Sequence, residues 1–225
     1  MIAIFYTGAR RHPEVTKQNH EYIISKIKEK YPVTIYDHQQ PEFNRTGCNF
    51  TISGGVQVWD FIKSCEIIKE DIVVKFRSDV WFTDSSISVI LEQIDEVVNN
   101  KVDVAYLGYD FRNHYDKKCY KIDADQLKKV VDFIVVARKD KITTMDRAIE
   151  KIVGDSSKNG NALFRNIRKE GIRSVNVSCH LYLVRNHFDN PNHYDILTDW
   201  VKQYRITGGE WDWVINNKDL IIKEY

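Results

Sequence analysis

The sequence predicts an α/β protein with a mostly parallel central sheet flanked by helices on both faces. Three observations carry that expectation. Short apolar runs of strand length recur along the first half of the chain, and amphipathic stretches of helical spacing separate them. Glycine-bearing or charged clusters then follow the strand-like runs, where an α/β sheet places its ligand sites.

"IAIFY" (Ile2 to Tyr6) reads as a buried first strand. Pro13 suits the first turn of a helix, and Ile23, Ile24, Ile27 and Tyr31 recur at helical spacing after it. "VTIYD" (Val33 to Asp37) is a second strand. Gly54 and Gly55 precede a helix with Val58, Phe61, Ile62, Cys65 and Ile68 on one face. "IVVKFRSDVWF" (Ile72 to Phe82) is the third strand. "TDSS" (Thr83 to Ser86) offers helix N-caps, and Ile87, Ile90, Leu91, Ile94, Val97 and Val98 form the stripe that follows. "VDVAYLGY" (Val102 to Tyr109) is the fourth strand.

The second half is less regular. "DFIVVAR" (Asp132 to Arg138) reads as a strand, and Ile142, Met145, Ile149, Ile152 and Val153 mark a helix. Leu163, Phe164 and Ile167 suggest a short helix after the loop 155–161. "SVNVSCHLYLVR" alternates Val175, Val177, Cys179, Leu181 and Leu183, which predicts a strand with one buried face. Leu197, Trp200, Val201 and Tyr204 suggest a last helix. Without repeats or linkers, the 225 residues read as one domain. It divides into two lobes, 1–110 and 111–225.

Composition narrows the function classes. Lys+Arg is 33 and Asp+Glu is 32, a balance that argues against a general nucleic-acid binder. No apolar run reaches the roughly 20 residues of a membrane span. The opening "MIAIFYTGARRHPE" does not read as an export signal, so the expected compartment is cytoplasmic. Cys48, Cys65, Cys119 and Cys179 are widely spaced with no C-x-x-C pair, so they are expected to be free thiols.

Two clusters carry the chemistry. In "YTGARRH", Thr7, Gly8, Ala9, Arg10 and Arg11 follow the first strand. Glycine lets backbone approach a ligand, the N–H groups of the turn and the next helix can receive phosphate oxygens, and arginine forks match phosphate. The bland alternative is a tight turn with two solvated arginines. The pattern is neither G-x-G-x-x-G nor a Walker loop, which weakens dinucleotide and ATP-hydrolysis readings. In "KFRSD", Lys75, Arg77 and Asp79 share one face of a regular strand, with Ser78 between the last two. Burying such charges is costly unless they are paired or meet a ligand. They form either a structural ion pair or a site in which Asp79 holds a metal or ribose-phosphate and Arg77 offsets negative charge.

"VVKFRSDVWF" resembles the strand of GT-A fold nucleotide-sugar glycosyltransferases that ends in an Asp-x-Asp motif, with Arg77 at the first aspartate position and Asp79 at the second. The K-x-R-x-D form is similar to that of WavE-type lipopolysaccharide- and capsule-synthesis enzymes and of small glycosyltransferases of large algal DNA viruses. "VDFIVVARKD" is similar to their Asp-aromatic segment. The resemblance covers about Ile2 to Lys141 and implies a Rossmann-like nucleotide-binding half and a mixed α/β acceptor lobe. It implies a nucleoside-diphosphate sugar donor, with UDP favoured over GDP, and a glycan or glycoprotein acceptor. The implied cofactor is Mn²⁺ or Mg²⁺, which one carboxylate, diphosphate oxygens and water can hold. Arg77 in place of the first aspartate sets strict metal dependence against partial replacement of the metal by Arg77 and Arg10.

An inverting transfer needs a carboxylate base, and Asp132, Glu210 and Asp212 are the candidates. Glu210 and Asp212 sit in "GGEWDW", loosely like a galactosyltransferase acceptor segment. The alternative is a surface turn whose Trp211 and Trp213 pack inward. His180 is a candidate metal ligand or a half-buried, hydrogen-bonded histidine. Asp37 is a candidate base or ribose contact or a turn aspartate. Gln57 and Trp59 could face the nucleotide base, or Trp59 could pack in the core. Two other classes compete with the glycosyltransferase. One is a nucleotidyltransferase, against which the missing lysine in "TGARRH" counts. The other is a non-catalytic nucleotide- or carbohydrate-binding module.

Overall fold

The computed structural model describes residues 1–7, 13–37, 65–78, 80–109, 118–123, 134–144, 171–183 and 221–225. Among them, β1 (Ile2–Thr7) leads to α1 (Pro13–Lys28) and β2 (Val33–Asp37). Next come β3 (Ile72–Arg77), β4 (Val80–Phe82), α2 (Asp84–Val98) and β5 (Val104–Tyr109). The rest are β6 (Tyr120–Ile122), β7 (Ile134–Arg138), α3 (Lys139–Thr144), β8 (Ser174–Cys179), β9 (Leu181–Leu183) and β10 (Ile221–Glu224). The predicted helices over 58–68, 163–167 and 197–204 fall wholly or largely outside these residues. So does most of the helix predicted over 142–153.

An eight-stranded sheet has the order β10-β6-β8-β5-β7-β3-β1-β2. β1 pairs in parallel with both β2 and β3, and β5 pairs in parallel with β8. The sheet is therefore the mixed α/β, mostly parallel one that the sequence predicts. It departs from the prediction at β7, which is antiparallel to both neighbours and lies between β3 and β5, and at β6, which is antiparallel to both β8 and β10. β7 is buried at Ile134, Val135, Val136 and Ala137. Such a continuous apolar run belongs in a sheet centre but carries no sign of its direction.

The residues from Ile72 to Phe82 do not form one strand. β3 stays in the large sheet, while β4 pairs antiparallel with β9 in a second, two-stranded sheet. The change of sheet falls between Arg77 and Val80. β8 and β9 make the same change at His180, so "SVNVSCHLYL" is also two strands. β8 is buried on both faces rather than one, because it lies between β5 and β6 inside the sheet.

The two sheet faces have separate cores. Ile4, Tyr6, Val74 and Phe76 pack with Ile23 and Ile27 of α1 and with Ile87, Ile90 and Ile94 of α2. Ala3, Phe5, Val73 and Tyr106 pack on the other face with Cys65, Ile68 and Ile142. Fully burying each such Ile or Phe contributes about 1.5–3 kcal/mol. α2 starts at a capping box, with Thr83 as N-cap and Ser86 as its reciprocal partner.

Candidate functional site

Parallel pairing brings the ends of β1, β2 and β3 level. Thr7 is the register partner of Arg77, and Tyr6 is the partner of both Asp37 and Phe76. The next residues in the chain are Gly8 after β1, His38 after β2 and Ser78 after β3. Two of the sequence-predicted clusters therefore leave the sheet side by side. Side chains alternate along a strand, so Arg77 belongs to one face while Tyr6, Asp37 and Phe76 belong to the other.

Lys75 precedes Arg77 on its face and is 1% exposed, beside its register partners Phe5 and Val135. Arg77 is half-buried at the edge, and Ser78 is buried in the turn that follows. A guanidinium at the strand's end keeps its hydration in part, which the strand interior would deny it.

The other side of this edge is built by α1. Thr16 Oγ1 donates to the Ser78 carbonyl at 3.0 Å. Asn19 Nδ2 donates to the Phe82 carbonyl at 2.8 Å, and Asn19 Oδ1 accepts from the Phe82 N–H at 2.7 Å. His20 Nε2 lies 2.6 Å from the Val80 carbonyl. A carbonyl only accepts, so this nitrogen carries the proton. In the neutral ring, Nδ1 then accepts from the Tyr6 hydroxyl at 3.0 Å. The His20 ring stacks on Tyr6 at 5.5 Å between centroids and meets Phe82 at 5.0 Å. Burial pushes the Tyr6 hydroxyl far above its ordinary pKa, with Asp37 and Glu21 adding to the shift, so Tyr6 remains a neutral donor.

Thr16, Asn19 and His20 are the residues that the sequence reading missed. Their signal was present: they extend the Ile23–Ile27 stripe toward the helix N-terminus at helical spacing. Polar residues continuing a buried stripe need partners, and here the partners are backbone groups of 78–82.

His180 lies at the junction of β8 and β9 and is buried. Its N–H donates to Cys119 Sγ at 3.2 Å, and its carbonyl accepts from Thr83 Oγ1. Its Nδ1 is 3.5 Å from Ser85 Oγ in the first turn of α2. The positive end of that helix disfavours a cation on this side of the ring. Among the described residues, no cluster of three His, Cys, Asp or Glu side chains is arranged to hold a metal.

Of the other sequence-predicted site residues, Gly8, Ala9, Arg10, Arg11, Asp79, Asp132, Glu210 and Asp212 lie outside the described residues, as do Gln57 and Trp59. Cys65, Cys119 and Cys179 are buried thiols and not disulfide-bonded, as expected, and Cys48 lies outside the described residues. No described helix is long and apolar enough to cross a membrane.

No family model matches the chain, and no curated protein sequence does. Solved structures with a similar course include a glycosyltransferase involved in the glycosylation of the major capsid of PBCV-1. It shares 11% identity over 78% of this chain and 81% of that one, at a TM-score of 0.47. A CMP:2-keto-3-deoxy-manno-octonic acid synthetase complexed with CTP shares 9% identity over 90% and 99%, at 0.44. The galactosyltransferase LgtC in complex with donor and acceptor sugar analogs shares 12% over 73% and 69%, at 0.42.

Proposed function

We propose that the chain is a glycosyltransferase that moves a sugar from a nucleoside-diphosphate donor, UDP-linked in the favoured case, to a hydroxyl of a glycan or glycoprotein acceptor. The observation that carries this reading is the register of Thr7 with Arg77 at the carboxyl ends of adjacent parallel strands. It supports one crevice shared by the "TGARR" turn, the start of α1 and "RSD".

In this reading the diphosphate meets backbone N–H groups after Thr7 and at the start of α1, with Arg10, Arg11 and Arg77 around it. Asp79 supplies a carboxylate to Mn²⁺ or Mg²⁺, whose other ligands are diphosphate oxygens and water. Hard cations accept that all-oxygen set. When bound, the cation offsets charge on the departing nucleoside diphosphate. Arg77 acts on the same charge from the protein side. Asp37, on the Tyr6 face, is assigned to the base or ribose. Asp132, Glu210 and Asp212 are the candidates to take the acceptor's proton. His180 is a further candidate ligand for the cation.

The test is product identity. Purified protein is incubated with Mn²⁺ and a panel of UDP- and GDP-hexoses, and separately with nucleoside triphosphates and sugar 1-phosphates. Release of UDP or GDP from a donor, lost in Asp79→Ala, is the expected result. Release of pyrophosphate in the second set makes the protein a nucleotidyltransferase. Nucleotide binding with neither product makes it a binding module.

A further inference from the structure

We propose that Thr16, Asn19 and His20 are positioning residues: they hold the backbone on both sides of Asp79, and so set the carboxylate against a diphosphate bound at the start of their own helix. The proposal rests on the diphosphate reading above. Ser78 and Val80 flank Asp79 in sequence, and their carbonyls both accept from α1, at 3.0 Å from Thr16 Oγ1 and 2.6 Å from His20 Nε2. Asn19 adds the reciprocal pair with Phe82. These contacts span 60 to 63 residues of chain.

The arrangement is unusual for a strand end. Leaving the large sheet after Arg77 deprives the next backbone groups of ladder partners there, and buried carbonyls require replacements. α1 supplies them from side chains. Thr16, Asn19 and His20 fall at i, i+3 and i+4, one helix face, and Thr16 and His20 are buried. The ring of His20 is fixed further by Tyr6, Phe76 and Phe82. α1 begins directly after "TGARRH". The helix that would meet the phosphates therefore also holds the turn that carries Asp79. Cation and diphosphate would then both depend on α1, which lowers the cost of bringing them together. Preorganisation of this kind acts on affinity by removing an ordering cost.

The experiment measures UDP affinity by calorimetry with Mn²⁺ and with EDTA. It compares wild type, Asp79→Ala, Thr16→Val, Thr16→Ser and His20→Phe. Thr16→Val keeps shape and removes the donor, and His20→Phe keeps a ring in the stack and removes the bond to Val80. The Mn²⁺-dependent gain in UDP affinity is expected to fall about tenfold in Thr16→Val and His20→Phe and to return in Thr16→Ser. Affinity in EDTA stays within about twofold of wild type. A purely structural role would lower the melting temperature and leave the Mn²⁺ gain alone. If wild type and Asp79→Ala differ as expected while Thr16→Val and Thr16→Ser keep the full gain, the positioning role is overturned and the diphosphate site stands. If wild type binds UDP no better with Mn²⁺ than without it, the metal-diphosphate reading fails and this inference fails with it.

Discussion

Thr7 and Arg77 are register partners at the last positions of two parallel strands. The pair fixes where two separate stretches of sequence leave the sheet. It also places half-buried Arg77 at the level of Thr7, which Gly8 follows in the sequence.

The first prediction concerns Arg77. Charge-assisted hydrogen bonds contribute about 1.5–3 kcal/mol each, so Arg77→Gln should weaken UDP binding by about ten- to a hundredfold. Fluorescence-monitored urea unfolding and a UDP titration together check it. A large loss of stability with unchanged affinity would make Arg77 a structural residue.

A second prediction concerns Thr83. Its hydroxyl accepts from Ser86 N–H at 3.3 Å and donates to the His180 carbonyl. It thus caps α2 and ties that cap to the β8–β9 junction. Thr83→Ala should cost about 1–2 kcal/mol, a lost cap plus an unsatisfied carbonyl. Thr83→Ser should recover most of it. Thermal melts would read a drop of about 2–4 °C per kcal/mol for a chain of this size.

The third concerns pH. Hydrogen bonds from Arg173 hold the Asp103 carboxyl below its ordinary pKa: Oδ2 accepts from the Arg173 N–H at 2.9 Å and from Nε at 3.1 Å, and Oδ1 accepts from an Nη at 2.8 Å. A depressed folded pKa stabilises fully above the unfolded value of about 4, and the contribution is lost as pH falls through the folded value. The stability gap between wild type and Asp103→Asn should therefore be widest near neutrality and close in acid. Urea unfolding of both proteins across that window measures it, and a gap that widened in acid would contradict the assignment.

Thiol reactivity supplies a fourth. Burial pushes the Cys65 thiol up to about 12, with Lys139 opposing, and raises Cys179 well above its usual value, with Cys119 adding to the rise. Thiolate is the reactive form. A Cys48→Ser protein should therefore react with a disulfide reagent only on unfolding. Prompt release of a stoichiometric chromophore from the native protein would contradict these buried positions.

Much of the fold was legible because apolar spacing reports burial directly. The Ile23–Ile27 stripe and the Ile87–Val97 stripe both face the same core. Strand direction was not legible. "IVVAR" is equally apolar whichever way it runs, so the antiparallel insertion of β7 carried no sequence mark. The breaks at Ser78 and His180 were hidden because neither stretch contains glycine or proline. β6 is three residues long, too short for its alternation to stand out, and β10, exposed at Ile222, Lys223 and Glu224, lacks the alternation that marks a strand. At the candidate site, the charged residues drew notice because charge is out of place near a core. Thr16, Asn19 and His20 did not, because a polar residue on a helix reads as solvent-facing until its partners, about 60 residues away, are known.

The most direct test of the central claim is calorimetric titration of UDP, GDP and CDP in the presence of Mn²⁺, on wild type and Asp79→Ala. The account predicts one saturable site for a nucleoside diphosphate, with affinity reduced at least about tenfold in Asp79→Ala. Absence of binding by all three diphosphates, or equal affinity in the two proteins, would contradict it.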